Sequence, residues 1–113
     1  LNGIKKIFSS KYPNIEFALG MRYGNPSIDS ALKDLQSSQV RRLLVLPLYP
    51  QYCAATTGST FDEVTSILQK WRWIPELRII NQYFEEEEYL NALVSSIENF
   101  WKKNNKPQKI VFS

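Results

Sequence analysis

Helical and strand-like hydrophobic periods alternate along this 113-residue chain, and the alternation restricts its fold more than any other feature. Four segments have the apolar, β-branched character of strands: residues 15–19, 42–48, 77–80 and 109–112. Each follows a segment whose apolar residues recur at helical spacing. Such an order is typical of parallel strands joined by right-handed crossover helices. The sequence therefore predicts a Rossmann-like or flavodoxin-like three-layer α/β/α fold with a four-stranded parallel sheet.

The predicted helices have recognisable ends. Pro13 cannot continue the first helix, and Ser27 is placed to cap the start of the second. Thr60 and Glu63 have the spacing of a capping box, which predicts that the third helix begins at Thr60. The acidic run at residues 85–88 complements the positive end of the fourth helix.

Composition excludes several classes of function. The net charge is +3, and the cations are interleaved with acids, so no basic stripe suggests nucleic-acid binding. No apolar run approaches the roughly 20 residues that a membrane span needs. The single cysteine, Cys53, fits a reducing compartment, so we expect a cytoplasmic protein. The chain has no histidine, which removes Ser-His-Asp and Cys-His nucleophile systems and imidazole zinc sites.

Ligands of open α/β sheets bind outside the carboxyl ends of the strands. Three predicted loops leave such ends, at residues 20–26, 49–59 and 81–84, and we expect them to meet at one edge. The first places Arg22 beside Tyr23 between glycines, which favours a planar ligand that carries carboxylates. Judged alone, however, the same loop favours an ordinary surface turn around a solvated arginine, because loops carry exposed arginine routinely.

The second predicted loop begins with Tyr49, Pro50 and Tyr52 and continues into small and hydroxyl residues before a helix. Such a segment offers hydroxyls and free backbone N–H groups to an anion, although plain capping would use the same residues. It contains no Gly-rich phosphate signature, so nucleotide binding is disfavoured. Cys53 has no second cysteine or histidine beside it, so it is interpreted as structural or incidental rather than as a redox or metal site.

These two loops carry a family resemblance. Residues 21–27 (MRYGNPS), 46–52 (LPLYPQY) and 55–59 (ATTGS) resemble the signature of ferrochelatases in their Gram-negative bacterial form. The similarity continues through residues 71–72, 75–78 and 90–93, so it covers most of the chain.

The resemblance implies an enzyme of two Rossmann-like domains with a porphyrin cleft between them. Residues 1–113 would be a single, truncated N-terminal domain of this two-domain chelatase. The whole enzyme would insert ferrous iron into protoporphyrin IX to make protoheme, and this fragment would be inactive alone. The catalytic histidine and the metal-associated glutamate of the family have no counterpart in this chain.

The resemblance also implies which residues bind substrate, while no catalytic or metal-binding residue is expected here. These substrate-binding residues are Arg22, Tyr23, Tyr49, Gln51, Tyr52, Thr56 and Tyr83. No iron–sulfur cluster is expected, because the cluster cysteine of some relatives aligns with Ala54 rather than with Cys53. The implied partners are the porphyrin substrate and the missing C-terminal domain, with peripheral membrane association of the whole enzyme and no nucleic acid.

Two other interpretations remain open at this point. The same loops suit a flavodoxin-like module that binds a phosphate or another small molecule. A purely structural or oligomerisation domain is the third interpretation.

Overall fold

The computed structural model describes residues 2–111, in two compact units divided between Asn81 and Gln82. The first unit contains three helices and two strands, and the second contains one helix. In chain order they are α1 (Asn2–Lys11), α2 (Ile28–Ser37), β1 (Arg42–Val45), α3 (Ser59–Leu68), β2 (Glu76–Ile79) and α4 (Glu87–Lys103). A π-helical turn, Ala54–Gly58, leads directly into α3.

The two strands form a parallel pair in the first unit. Arg42 lies opposite Glu76 and Val45 lies opposite Ile79, with α3 in the crossover between the strands. The prediction of an α/β fold with parallel strands is therefore confirmed.

The other two predicted strands are not formed in the described residues. Residues 15–19 and 109–111 carry no strand pairing, and Phe112 lies outside the described residues. A hydrophobic pattern reports the side-chain environment, but a strand also needs a neighbouring backbone with free N–H and C=O groups. β1 and β2 supply these groups to each other, so the sheet described here has two strands.

The core of the first unit lies between α2, α3 and one face of β1. Leu43 on this face is 7% exposed, whereas Leu44 on the opposite face is 61% exposed. This alternation follows from the two-residue period of a strand. The buried cluster consists of Ile28, Leu32, Leu43, Val64, Ile67 and Leu68.

The predicted end of α1 and cap of α2 are confirmed, whereas the predicted capping box is wrong. α1 ends at Lys11, two residues before Pro13, and the Ser30 N–H donates to Ser27 Oγ at 3.1 Å. Thr60, the predicted cap of α3, instead donates its hydroxyl to the backbone carbonyl of Thr56 at 3.0 Å.

The π-helical turn explains this difference at α3. It supplies carbonyls of Ala54 and Thr56 to the Ser59 N–H, so the start of α3 is already satisfied by the preceding turn. A capping side chain satisfies N–H groups that lack such partners. The capping-box pattern therefore assigned Glu63 to a capping role that the backbone carbonyls of the π-helical turn fill.

The second unit is organised around α4, whose acidic first turn agrees with the prediction. Glu87 and Glu88 lie in its first turn, and Lys102 and Lys103 lie in its last turn, each on the side that the helix dipole favours. Within residues 2–111, none of the helices combines the length and the apolar character that crossing a membrane requires.

Candidate functional site

Two loop segments of the first unit meet at the start of α3. Arg22 donates from Nε to Ser59 Oγ at 3.0 Å, and the Tyr23 hydroxyl lies 3.4 Å from the same oxygen. The predicted juxtaposition of the Arg22–Tyr23 turn with the segment that follows β1 is therefore confirmed. We call the surface formed by Arg22, Tyr23, Tyr52 and Ser59 the rim.

The turn that carries Arg22 and Tyr23 is closed by its own backbone. The Met21 N–H donates to the Pro26 carbonyl at 2.8 Å, and the Ile28 N–H donates to the Met21 carbonyl at 3.3 Å. These two bonds hold the ends of the segment 21–28 close together at the base of the turn. Arg22 and Tyr23 lie between the two ends, where their side chains extend toward α3.

Gly20 sets the distance between this turn and α2. A Cβ at Gly20 would lie 2.8 Å from the Ile28 Cα and 3.3 Å from the Ala31 Cβ. Since the nearest atom belongs to the backbone of a helix, it cannot move aside by changing a rotamer. The absence of a side chain at Gly20 therefore lets the turn lie directly on the first turn of α2.

Arg22 is held by three groups of the chain. Besides Ser59, its Nη1 lies 3.2 Å from Glu63 Oε2, and its guanidinium carbon lies 4.8 Å from the centroid of the Tyr23 ring. The side chains of Arg22 and Glu63 are 31% and 33% exposed, so water still reaches the ion pair. Arg22 was predicted to be a carboxylate anchor, and the structure engages its Nε and Nη1 within the protein.

The segment after β1 presents tyrosines around the π-helical turn. Tyr49 and Tyr52 are both exposed, and the Tyr52 hydroxyl lies 3.3 Å from where a Cβ on Gly58 would be. Gly58 thus allows the hydroxyl of Tyr52 to lie directly against the helical backbone. Aromatic faces beside N–H and O–H donors are suited to a planar ligand with polar edges.

The remaining predicted residues of this segment make local contacts. Gln51 is exposed, and Thr56 is half-buried with its hydroxyl donating to the Cys53 carbonyl at 3.3 Å. Among the hydrogen bonds described for residues 2–111, none joins Tyr49 or Gln51 to the Arg22 turn.

Tyr83 belongs to the second unit, where it packs on another tyrosine. Its ring lies 5.5 Å from that of Tyr89, edge to face. Burial, with a smaller contribution from Tyr89, raises the pKa of Tyr83 above the ordinary value of a phenol. Its hydroxyl is therefore protonated, and available as a hydrogen-bond donor, throughout the physiological pH range.

Two residues of the arrangement were missed by the sequence reasoning. Ser59 and Glu63 are four residues apart on α3, so they share a helical face, and both contact Arg22. The signal was present, because the i,i+4 spacing can be read from the sequence. The identity of their common partner could not be read in this way, because Arg22 lies 37 residues before Ser59.

The chemistry of the rim is that of binding. It combines one arginine, hydroxyl groups and aromatic rings, and the chain contains no histidine to exchange protons near neutral pH. Within residues 2–111, no group of three or more His, Cys, Asp or Glu side chains is arranged to hold a metal ion. Cys53 is free and exposed.

A groove of about 430 Å³ lies elsewhere in the first unit, between the extended segment at residues 16–19 and α2. Asp34 and Leu35 line its helical side. Its lining includes none of the predicted substrate-binding residues, so it is distinct from the rim.

Comparison with known proteins gives consistent results over the whole chain. The family model described as Ferrochelatase matches residues 1–113. The chain is 58% identical over 99 residues to a ferrochelatase of Hydrogenovibrio crunogenus, covering 88% of this chain and 26% of that protein. It is 50% identical over 104 residues to a ferrochelatase of Nitrosococcus oceani, covering 92% and 28%. A protein of Shewanella oneidensis named ferrochelatase 2 is 48% identical over 95 residues, covering 84% and 29%.

Proposed function

This chain belongs to the ferrochelatase family, and we propose that the whole protein inserts ferrous iron into protoporphyrin IX to form protoheme. The observation that carries the proposal is the meeting of Arg22 and Tyr23 with Ser59 at the rim. The chain spans 26% to 29% of the length of the three relatives described above, so the reaction needs residues beyond it.

The proposed contribution of this chain is one wall of the porphyrin cleft. Metal insertion requires a flat macrocycle to be deformed and two pyrrole protons to be removed. Tyr23 and Tyr52 offer aromatic surfaces to the macrocycle, and Arg22 offers a fixed donor beside them. Proton removal falls to a base outside this chain, because the chain has no histidine.

The other predicted residues take secondary parts in the proposal. Tyr49, Gln51 and Thr56 follow β1 on the same loop as Tyr52, and they would extend the wall along the macrocycle. Tyr83 follows β2, and its protonated hydroxyl would donate to a polar group of the substrate.

We also propose that the four predicted strands of this chain belong to one parallel sheet, with helices on both faces, in the whole protein. In the flavodoxin-like strand order 2-1-3-4-5, the second strand lies at the edge and pairs with the first alone. Residues 15–19 would be this second strand, and β1 and β2 would be the third and fourth. The order therefore explains why β1 and β2 pair with each other while residues 15–19 lack a neighbour.

The proposed setting of the enzyme is cytoplasmic, with peripheral membrane association and without nucleic acid. The partner of this chain would be the C-terminal domain of the same protein, which closes the cleft. We propose that the protein works without an iron–sulfur cluster, since Cys53 is the sole cysteine of the chain and the family resemblance places the cluster cysteine of some relatives at Ala54.

The test is an assay of iron insertion by the whole protein, compared with its Arg22→Ala and Arg22→Lys variants. We expect the wild type to form protoheme and both variants to lose turnover by about a hundredfold. The reason is that a misplaced or missing donor no longer orients the porphyrin for metal insertion. Circular dichroism and thermal unfolding serve to show that the variants remain folded. Residues 1–113 alone should be inactive.

Binding measurements separate this proposal from a flavodoxin-like module. Protoporphyrin should quench the intrinsic tryptophan fluorescence of the whole protein at micromolar concentrations, and flavin mononucleotide should not. Flavin binding without porphyrin binding, or normal turnover in Arg22→Ala, would refute the proposal.

A further inference from the structure

The ion pair between Arg22 and Glu63 is the contact of the rim that carries a further inference. Glu63 lies on the second turn of α3, and its Oε2 is 3.2 Å from Arg22 Nη1. Both side chains are about one-third exposed, so the pair is neither fully solvated nor sealed in the core. It joins the Arg22 turn to the helix through charge, in addition to the hydrogen bond to Ser59.

Glu63 is free for this contact because α3 does not need it as a cap. The Ser59 N–H already donates to carbonyls of the π-helical turn, and the Thr60 hydroxyl donates to the Thr56 carbonyl. A capping box would have turned the carboxylate of Glu63 back toward the backbone of Thr60. In this structure the carboxylate instead reaches Arg22.

The contacts around Arg22 fix its orientation from three directions. Ser59 accepts from Nε, Glu63 lies at Nη1, and the Tyr23 ring lies 4.8 Å from the guanidinium carbon. A guanidinium is planar and rigid, so a hydrogen bond, an ion pair and a neighbouring ring together restrict how it can move. Without the carboxylate, the ion pair would be lost and the positive charge of Arg22 would be uncompensated.

We propose that Glu63 is a positioning residue for Arg22, which it holds as an oriented and charge-compensated donor toward the porphyrin. This inference rests on the proposed function. It implies that Arg22 meets the macrocycle through a fixed donor edge beside Tyr23, and not as a mobile cation that captures a carboxylate. Glu63 acts through Arg22 and touches neither the porphyrin nor the iron.

The test uses the whole protein and the variants Glu63→Ala and Glu63→Gln, each also combined with Arg22→Ala. We expect Glu63→Ala to lower kcat/KM by about tenfold, mainly through kcat, because misorientation affects the transition state more than ground-state binding. Glu63→Gln, which keeps an oxygen acceptor, should lose less. In the Arg22→Ala background, removing Glu63 should have no further effect.

A matched control is available on the same helix. Asp62 is the neighbouring acid in the first turn of α3, and it is exposed. Asp62→Asn removes one negative charge from the same surface, as Glu63→Gln does, and it should leave kcat/KM unchanged. Equal losses in Asp62→Asn and Glu63→Gln would mean that net charge matters rather than the pair, and would overturn the inference.

A readout besides activity keeps this inference separate from the proposed function. The Arg22 Nε–H signal, assigned in ¹⁵N-arginine spectra by its loss in Arg22→Lys, should exchange with water at least several-fold faster in Glu63→Ala. Unchanged exchange, or additive kinetic losses in the double variant, would overturn the role of Glu63. A protein with a protected Arg22 Nε–H and no chelatase activity would instead refute the proposed function and leave the pairing intact.

Discussion

The Tyr52 hydroxyl lies 3.3 Å from the position that a Cβ on Gly58 would occupy. Gly58 has right-handed helical backbone angles, φ −60° and ψ −48°, so alanine is compatible with its backbone. The glycine is therefore explained by the neighbouring tyrosine and not by the conformation of the chain. A substitution at Gly58 can therefore change the position of Tyr52 without destabilising the fold.

Gly58→Ala should move Tyr52 while leaving the fold as stable or slightly more stable, by up to about 1 kcal/mol, because alanine favours helix. We expect weaker porphyrin binding by the whole protein, measured by fluorescence titration. Gly3→Ala in α1 is the control, since a Cβ there meets nothing within 4 Å. Porphyrin binding that stays unchanged in Gly58→Ala would show that Tyr52 does not contribute to the porphyrin site.

Gly20→Ala should instead destabilise the fold. Its Cβ would lie 2.8 Å from the Ile28 Cα, so either α2 or the Arg22 turn must shift. Overpacking against a helix backbone costs about 1 to 3 kcal/mol, measurable by urea denaturation. If the stability of Gly20→Ala matched that of Gly3→Ala, the close approach of the turn to α2 would be wrong.

Leu43 and Leu44 form a matched pair on β1. Leu43→Ala should cost about 2 to 4 kcal/mol in residues 1–113, because it leaves a cavity in the core, and Leu44→Ala should cost under about 1 kcal/mol. In the whole protein, the proposed second layer of helices would cover Leu44. Its substitution should then become clearly more costly, and a cost that stays small would count against the three-layer sheet.

Thr57→Val tests a buried hydroxyl. Thr57 is 1% exposed, and its Oγ1 has no hydrogen-bond partner among the described residues. Valine keeps the shape and removes the polar atom, so the free energy of unfolding should stay equal or rise by about 1 kcal/mol. A clear loss of stability in thermal unfolding would show that the hydroxyl has a partner in solution.

Tyr83 should titrate above the ordinary tyrosine range of about 10, because burial disfavours its charged form. The folded state therefore holds this proton more tightly than the unfolded state. Its contribution to stability is complete below the unfolded pKa and is lost as pH rises through the folded pKa. Absorbance at alkaline pH, with Tyr83→Phe as the reference, measures the shift, and a titration at or below the ordinary value would contradict it.

The helices were predictable because their causes are local, and the parallel direction of β1 and β2 followed from the helix that lies between them in sequence. The periodic apolar residues of α2 and α3, the cap at Ser27 and the nearly continuous apolar run at β1 all lie within a few residues of the structure they specify. The predicted strand at residues 15–19 depended on a neighbouring backbone that pattern alone does not provide.

The rim was predictable in outline and not in its contacts. The predicted approach of Arg22 and Tyr23 to the segment after β1 is confirmed, although the strand at residues 15–19 from which it was argued is not formed in the described residues. The same reasoning assigned Glu63 to a cap, since a local motif gives no information about an arginine 41 residues away in sequence. The π-helical turn at Ala54–Gly58 was likewise interpreted as loop.

The bond between Arg22 and Ser59 spans 37 residues, so it closes a long loop that includes α2 and β1. Closing such a loop costs entropy that only tertiary contacts can offset, whereas each helix can begin to form from nearby residues. We therefore expect the rim to assemble late, once α3 packs against β1. Affinity for a ligand at this surface consequently reports that the domain has reached its tertiary structure, which helical content alone does not.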